Sequence, residues 1–266
     1  MTPETQTFDK KISLTVVVIT KNEAGRIMDC LRSVDWADEV IVLDDESTDN
    51  TVELARSAGA KVFQRKMDKE GKHRNYAYGL AKNEWILSLD ADERVTPELK
   101  EEIVGLLKSG PSCNGYSIPR RNFIGNTWVR YGGMYPSAQL RFFRKVVFRY
   151  DEEAEVHPQA CVPDPRGQLK SDILHYTYRD FTDAIAKMDR QTDLEARKWH
   201  REKRKVGAFS VMRKMVDRFW KSYVSKKGYK DGVNGLFLAV NSGMYQFLSY
   251  AKYWEMQKKD AQADSR

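Results

Sequence analysis

Two carboxylates one residue apart, Asp90 and Asp92, close the apolar run Leu87-Ser-Leu-Asp90-Ala-Asp92-Glu93. At a strand end such an Asp-x-Asp pair can set its oxygens around one hard divalent cation, Mg²⁺ or Mn²⁺. Water and phosphate oxygens then supply the remaining ligands. The isolated triplet is also an ordinary way to solubilise a loop. A second acidic pair, Asp44-Asp45, follows Val40-Ile-Val-Leu43. Adjacent carboxylates there repel each other unless a cation or ligand donors compensate. One of them can accept from a ribose hydroxyl or a base N–H, whereas Asp45, Ser47 or Asp49 can equally cap the next helix. Lys72 and Arg74, in Gly71-Lys-His-Arg-Asn75, can meet phosphates beside a helix N-terminus. A solvated basic loop is the alternative.

The elements that must position these groups alternate along the first hundred residues. Leu14 to Ile19 is a β-branched run suited to a strand buried on both faces. Ile27, Cys30 and Leu31 have helical spacing, and Glu39 to Leu43 gives a second strand. Ser47 to Asn50 can open a helix that runs to about Ala58 and stops at Gly59. Lys61 to Phe63 is a short strand, Arg74 to Ala81 a helix, and Glu84 to Leu89 a fourth strand. Thr96-Pro97 then starts another helix, with Pro at its first position. This order predicts an α/β fold with a mainly parallel central sheet and helices on both faces. Ligands of such sheets bind at the carboxyl ends of the strands, where Thr20 to Glu23, Asp44-Asp45 and Asp90 to Glu93 all fall.

The 266 residues carry 45 Lys plus Arg against 38 Asp plus Glu, a net charge of +7. Residues 1–185 sum to −3 and residues 186–266 to +10, so a globally basic nucleic-acid binder is a poor description. Three widely spaced cysteines, at 30, 113 and 161, suggest neither a disulfide framework nor a zinc knuckle, and fit a reducing compartment. The polar start MTPETQTFDKK and the short run after it predict no secretory signal.

The joint spacing of VVVITKNEA, VIVLDDESTDNT, GKHRNYA and WILSLDADERV resembles the family-2 glycosyltransferases, inverting enzymes with the GT-A, Rossmann-like nucleotide-sugar fold. Gly132-Gly-Met-Tyr-Pro136, Gln139-Leu-Arg141-Phe-Phe-Arg144, Val156-His157, Leu174 to Asp180 and the segment from Gly228 to Glu255 look like the bacterial subgroup that glucosylates the lipopolysaccharide inner core. With them the resemblance spans nearly the whole chain. It implies a GT-A catalytic domain over 1–180, with a nucleotide-sugar half at about 12–110 and an acceptor half at 111–180. A C-terminal helical extension would follow over 181–266.

The resemblance further implies that Thr20, Asn22, Glu23, Asp44, Asp45, Arg74 and Asp90 contact a UDP-sugar. Asp92, with Asp90, would hold Mg²⁺ or Mn²⁺, and Gly133 and Arg141 would shape the donor-sugar or acceptor pocket. Many relatives place the general base directly after Val-His. Here Pro158 stands there, which moves the role to Glu155, Glu153 or another nearby carboxylate, or to His157. His157 and His175 are also candidates to complete a metal shell.

The tail contains RKWHREKRK, from Arg197 to Lys205, and nineteen uncharged residues from Val233 to Ala251. Asn234, Asn241, Ser242 and Ser249 make that stretch a poor membrane span, but its Leu, Val, Tyr and Trp suit an interface. Basic clusters beside an amphipathic, aromatic-rich helix predict peripheral attachment to an anionic leaflet. Packing on the catalytic domain or a homodimer through these helices is the alternative. The expected protein is a metal-dependent hexosyltransferase at the inner face of a bacterial cytoplasmic membrane, moving glucose from UDP-glucose to a lipid-linked glycan, with no nucleic-acid partner. A sugar-phosphate nucleotidyltransferase would be expected to carry a glycine-rich loop after the first strand, where this chain has one glycine, Gly25. A non-catalytic scaffold predicts no joint use for Asp90 and Asp92.

Overall fold

A computed structural model describes residues 13–154 and 159–263. Their contacts group into two units. The first holds 13–118, 139–153 and 159–173, and the second 119–138, 154 and 174–263. Residues 119–138 and 174–180 thus group with the C-terminal helices, whereas the sequence reading draws a single boundary at 180.

The first unit is built on β1 (Leu14–Thr20), β2 (Glu39–Asp44), β3 (Lys61–Gln64) and β4 (Trp85–Asp90). Four of the expected strands are present, most extended by a residue at the carboxyl end. β5 (Glu93–Val95), β6 (Gly115–Ile118), β9 (Gln139–Arg144) and β12 (Arg166–Gln168) complete the strands used below. β1, β2, β3 and β4 run parallel, while β9 is antiparallel to both β4 and β6. The strand order is β12-β6-β9-β4-β1-β2-β3. The chain leaves β1 towards β2 on one side and returns to β4 on the other, so the topology switches direction at β1, where open α/β sheets bind ligands.

Period-two burial divides the sheet between two cores. Leu14, Val16 and Val18 of β1 and Trp85, Leu87 and Leu89 of β4 face one core, which is closed by α1 (Ile27–Arg32), α2 (Thr51–Ser57) and α4 (Pro97–Ser109). Val17, Ile41, Leu43 and Ile86 face the other, closed by Ala77 and Tyr78 of α3 (Glu70–Gly79). The helices therefore cover both faces, as expected. Thr96 caps α4 by accepting from Leu99 N. α3 starts four residues before the expected Arg74, because Glu70 suits a first turn and pairs with Arg74 at 2.9 Å across i,i+4.

The second unit contains β7 (Arg120–Ile124) and β8 (Thr127–Val129), paired as a hairpin, then α5 (Phe181–Arg201), α6 (Ala208–Trp220) and α7 (Gly232–Ala263). Asp180 caps α5 through Asp183 N. Ala196, Trp199 and Tyr253 form a small core between α5 and α7. Gly243 lets α7 approach α6: a Cβ there would lie 3.0 Å from Met215 O. Among the described residues no helix is long and apolar enough to cross a membrane.

Phe142 is fully buried and stacks on Trp85 at a centroid distance of 4.7 Å. Phe142→Ala should lower unfolding stability by about 3–5 kcal/mol, measured by urea denaturation. A loss under about 1 kcal/mol would mean that this side of the sheet is loosely packed.

Candidate active site

The strand register brings the polar ends together: Thr20 pairs with Asp44, and Ile19 with Asp90. Thr20 is buried, and its Oγ1 has no hydrogen-bond partner among the described residues. Beyond it Asn22 adopts a left-handed φ of 53°. Its Oδ1 accepts from Thr48 N at 2.8 Å and its N–H donates to Ser47 Oγ at 2.8 Å. Glu23 N donates to Thr51 Oγ1, and Ala24 N to Asp49 Oδ2. The β1 and β2 loops are thereby laced into one rim, and that lacing is the contact seen for Asn22.

The adjacent carboxylates of that rim are compensated by protein donors. Asp44 is fully buried and accepts from the backbone N–H and hydroxyl of Ser47 and from Gln64 Nε2. Asp45 accepts from Met67 N at 2.7 Å and pairs with Lys21 Nζ at 2.8 Å. The capping role open to several residues falls to Asp49, which accepts from the Thr51 N–H and hydroxyl at the start of α2.

At the end of β4, Asp90 stands between two guanidiniums. Arg74 Nη2 donates to Oδ1 at 2.8 Å, and Arg141 Nη2 donates to Oδ2 at 2.6 Å. Arg141, in β9, also donates to Glu93 Oε1 at 2.9 Å, while Glu93 Oε2 accepts from Asp90 N. Glu93 and Arg141 are almost wholly inaccessible. Burial pushes the Asp90 carboxyl upward, but Arg141 and Arg74 outweigh it and hold the group well below the usual carboxylate range. Arg74 lies inside α3, so the expected pairing with helix-terminal amides gives way to an ion-paired side chain. One of its nitrogens, Nη1, is buried without a hydrogen-bond partner. The guanidinium also stands 5.9 Å from the Tyr150 ring centroid.

Asp92 is differently placed. Its side chain keeps 15% exposure, and Arg26 Nη1 stands 3.8 Å from Oδ2 and 3.7 Å from Glu23 Oε2. Among the described residues no group of three or more His, Cys, Asp or Glu converges. A cation here would therefore take Asp92 and find its other ligands in water and diphosphate oxygens, the set that Mg²⁺ accepts. Asp90, with an oxygen on each guanidinium, does not fit as a direct ligand, because a cation beside two guanidiniums is repelled.

The sequence profile of glycosyl transferase family 2 matches residues 15–162. The chain belongs to this family. An uncharacterized glycosyltransferase of Rickettsia bellii (strain RML369-C) is 28% identical over 93% of this chain and 87% of its own length. The lipopolysaccharide core biosynthesis glycosyltransferase LpsC of Rhizobium meliloti (strain 1021) is 23% identical, over 92% of this chain and 93% of its own. The crystal structure of S. aureus TarS 1-349 in complex with UDP superposes with a TM-score of 0.49 and 16% identity, covering 90% of this chain and 91% of that one. The architecture is the GT-A one, an α/β sheet domain with C-terminal helices.

Of the base candidates in this family-2 transferase, Glu155 and His157 lie outside the described residues. Glu153 hydrogen-bonds Lys69 Nζ at 2.9 Å, and Lys69 with Lys72 holds its carboxyl below the usual value, which weakens it as a base. His175 Nδ1 is engaged with Asn122 Oδ1 at 2.7 Å. Gly133, in the second unit, has a φ of 88°, and a Cβ there would meet Lys226 Nζ at 2.5 Å. Its observed role is to let that lysine pass. Arg141, expected to line a sugar pocket, instead fixes Asp90 and Glu93.

Sequence reasoning passed over Glu93 and Arg26 as site residues. The signal for Glu93 was its place three residues after Asp90, the reach of a side chain that accepts from the strand-end N–H. His73 was also passed over. It is fully buried with both ring nitrogens unpartnered, and burial, opposed by Asp45, keeps the ring below its ordinary pKa.

Arg141→Ala removes the guanidinium on the fully buried Glu93 and one of the two on Asp90, and should cost about 3–5 kcal/mol. Since the folded-state pKa of Asp90 is depressed, its stabilisation is complete at neutral pH. It fades as pH falls below the unfolded value of about 4. Asp90→Asn should therefore be less stable than the parent at pH 7, with the gap narrowing towards pH 3 in urea titrations. A pH-independent gap would remove Asp90 from the acid transition.

Proposed function

We propose that this family-2 protein is a metal-dependent, inverting hexosyltransferase that moves glucose from UDP-glucose onto a lipid-linked glycan of the lipopolysaccharide core type. One observation carries the reading. The carboxylate-bearing loops of β1, β2 and β4 converge at the switch point of the sheet, and Asp92 is the strand-end carboxylate left outside the twin-arginine clamp. The name of the Rhizobium relative supports the acceptor class.

In this reading the laced rim of Thr20, Asn22, Glu23, Asp44 and Asp45 receives the nucleoside. The unpartnered Oγ1 of Thr20 and Nη1 of Arg74 are polar atoms available for that purpose. Arg74, held by Asp90, offers positive charge to the diphosphate, and Arg26 does the same from the α1 side. Asp92 holds Mg²⁺ or Mn²⁺, with Asp90 as its positioning neighbour, and the metal supplies charge neutralisation of the departing UDP. Glu155 takes the acceptor hydroxyl's proton as that oxygen attacks the anomeric carbon and the bond to the diphosphate breaks. Glu153 pairs with Lys69 and Lys72.

The same proposal puts the protein on the cytoplasmic face of an anionic membrane. Phe209, Met212, Val216 and Trp220 form an exposed stripe along α6, with Phe209 85% exposed. Val233, Leu236, Val240, Phe247 and Trp254 repeat the pattern on α7. Arg213, Lys227 and Lys230 stand on or near these helices and suit an anionic leaflet.

UDP release from UDP-glucose with Mn²⁺ and a lipid-linked acceptor should fall at least about 100-fold in Asp92→Ala and in Glu155→Gln. Full activity in Asp92→Ala would refute the metal role, and wild-type turnover in Glu155→Gln the base role. Phe209→Ser with Trp220→Ser should abolish sedimentation with anionic vesicles and leave UDP release from UDP-glucose with a soluble acceptor intact. Unchanged sedimentation would remove the α6 stripe from membrane binding.

A further inference from the structure

The helical unit has a cavity of its own, about 900 Å³, walled by α5, α6, α7 and the 132–134 loop. Cavities between packed helices are frequent ligand sites. Here the chemistry of the wall is specific.

Arg204, Lys214, Arg218, Lys221 and Lys226 line it, and among the described residues none of them has an ion-pair partner. The two acids of the wall are already engaged: Glu195 accepts from Trp199 Nε1 at 2.6 Å, and Asp217 pairs with Arg213 at 3.7 Å. Five cations outside any ion pair, against two acids of which Asp217 is already paired, make the space attractive to an anion. Guanidiniums and ammoniums are the groups that recognise phosphate or carboxylate.

The remaining wall is suited to a polyol. Asn241, Ser242 and Gln246 project amides and a hydroxyl, which both donate and accept. Tyr245 adds aromatic surface able to cover the C–H face of a pyranose, while Trp199, packed against Tyr253 with Arg204 over its ring, forms the floor behind it. Tyr245 is pushed above its ordinary pKa by burial and by Glu195, so its hydroxyl stays protonated as a donor. The distribution of side chains on α7 points the same way. Gln246 and Ser249 are buried while Leu236, Val240 and Phe247 are exposed, so this helix turns polar groups inward. A lipid tail would want the opposite wall.

We propose that this cavity binds an anionic saccharide, a sugar bearing phosphate or carboxylate, and that it holds the charged part of the acceptor glycan. The second clause rests on the transferase reading above, and the first does not.

The test titrates the full-length protein with glucose 6-phosphate, galacturonate, glucose and inorganic phosphate, by calorimetry, without nucleotide or metal. At least one charged sugar should bind tenfold or more tightly than both glucose and inorganic phosphate. Arg218→Gln with Lys221→Gln, both exposed positions, should weaken that binding at least tenfold while circular dichroism stays unchanged. Equal binding of charged and neutral sugar, phosphate binding as tight as sugar phosphate, or unaltered affinity in the double variant would each overturn the proposal. Competition by anionic vesicles that matches the sugar's own displacement would reassign the cavity to a lipid headgroup and overturn it too. Sugar binding without UDP release sinks the transferase reading alone, and UDP release without sugar binding sinks this one alone.

Discussion

The first unit is organised by the clamp of Arg74 and Arg141 on Asp90. A carboxylate at the end of a buried parallel strand is unfavourable unless its charge is answered nearby. Two guanidiniums answer it here, one from α3 and one from β9, at 2.8 and 2.6 Å. Glu93 balances the second positive charge and also receives the Asp90 N–H. The four side chains together are close to neutral, which is what lets them be buried. Any one of them alone would be a liability of several kcal/mol. The clamp also ties together an antiparallel strand, a helix and the central strand at the one place where the sheet changes direction. Geometry at the switch point is thus fixed by charge pairing, whereas the layers behind it are fixed by apolar packing.

That division explains why neighbouring acids have such different surroundings. Asp44 and Asp45 hold the β2 loop by accepting backbone and side-chain N–H groups. Asp90 is locked. Asp92, two residues on, stands at ion-pair range of Arg26, whose Nη1 lies 3.8 Å from Oδ2. Arg26 and Arg74 each have one buried Nη atom without a hydrogen bond among the described residues, although both guanidiniums are ion-paired. Cys30 lies beneath this layer with its thiol pushed up to about 12 by burial, so it is packing and takes no part in chemistry.

The sheet was legible from sequence because each strand is a short β-branched or apolar run, and polar clusters follow it where ligands bind. Thr96-Pro97 announced α4 for an equally local reason, a side-chain cap and a fixed φ. The partnership of Arg141 with Asp90 was not legible. The residues are 51 apart, and only the antiparallel insertion of β9 beside β4 brings them together. Arg141 therefore read as a pocket residue when it is a buried counter-ion. The start of α3 was missed because Gly71 weakens the helix signal, and the compensating Glu70–Arg74 pair depends on where Asp90 sits. The grouping of 119–138 with the C-terminal helices depends on contacts distant in sequence.

The C-terminal helices show how one periodicity can serve two surfaces. The spacing of Leu236, Val240 and Phe247 identifies a face of α7 without saying which way it turns. In a helix packed for stability alone the apolar face turns inward. Here those residues are 43%, 46% and 40% exposed, whereas Gln246 and Ser249 are buried. Ser249 meets its need locally by donating to Tyr245 O. Gln246 is turned towards a cavity whose cations stand, among the described residues, outside any ion pair. The inner face of α7 also buries Ala239, Gly243 and Tyr253, so the helix packs through small and mixed side chains while part of its apolar stripe stays exposed. The inner face suits an anionic polyol and the outer one an apolar boundary flanked by basic groups. In the proposed reading, the +10 charge of residues 186–266 would serve two anionic partners from opposite sides of the same helices.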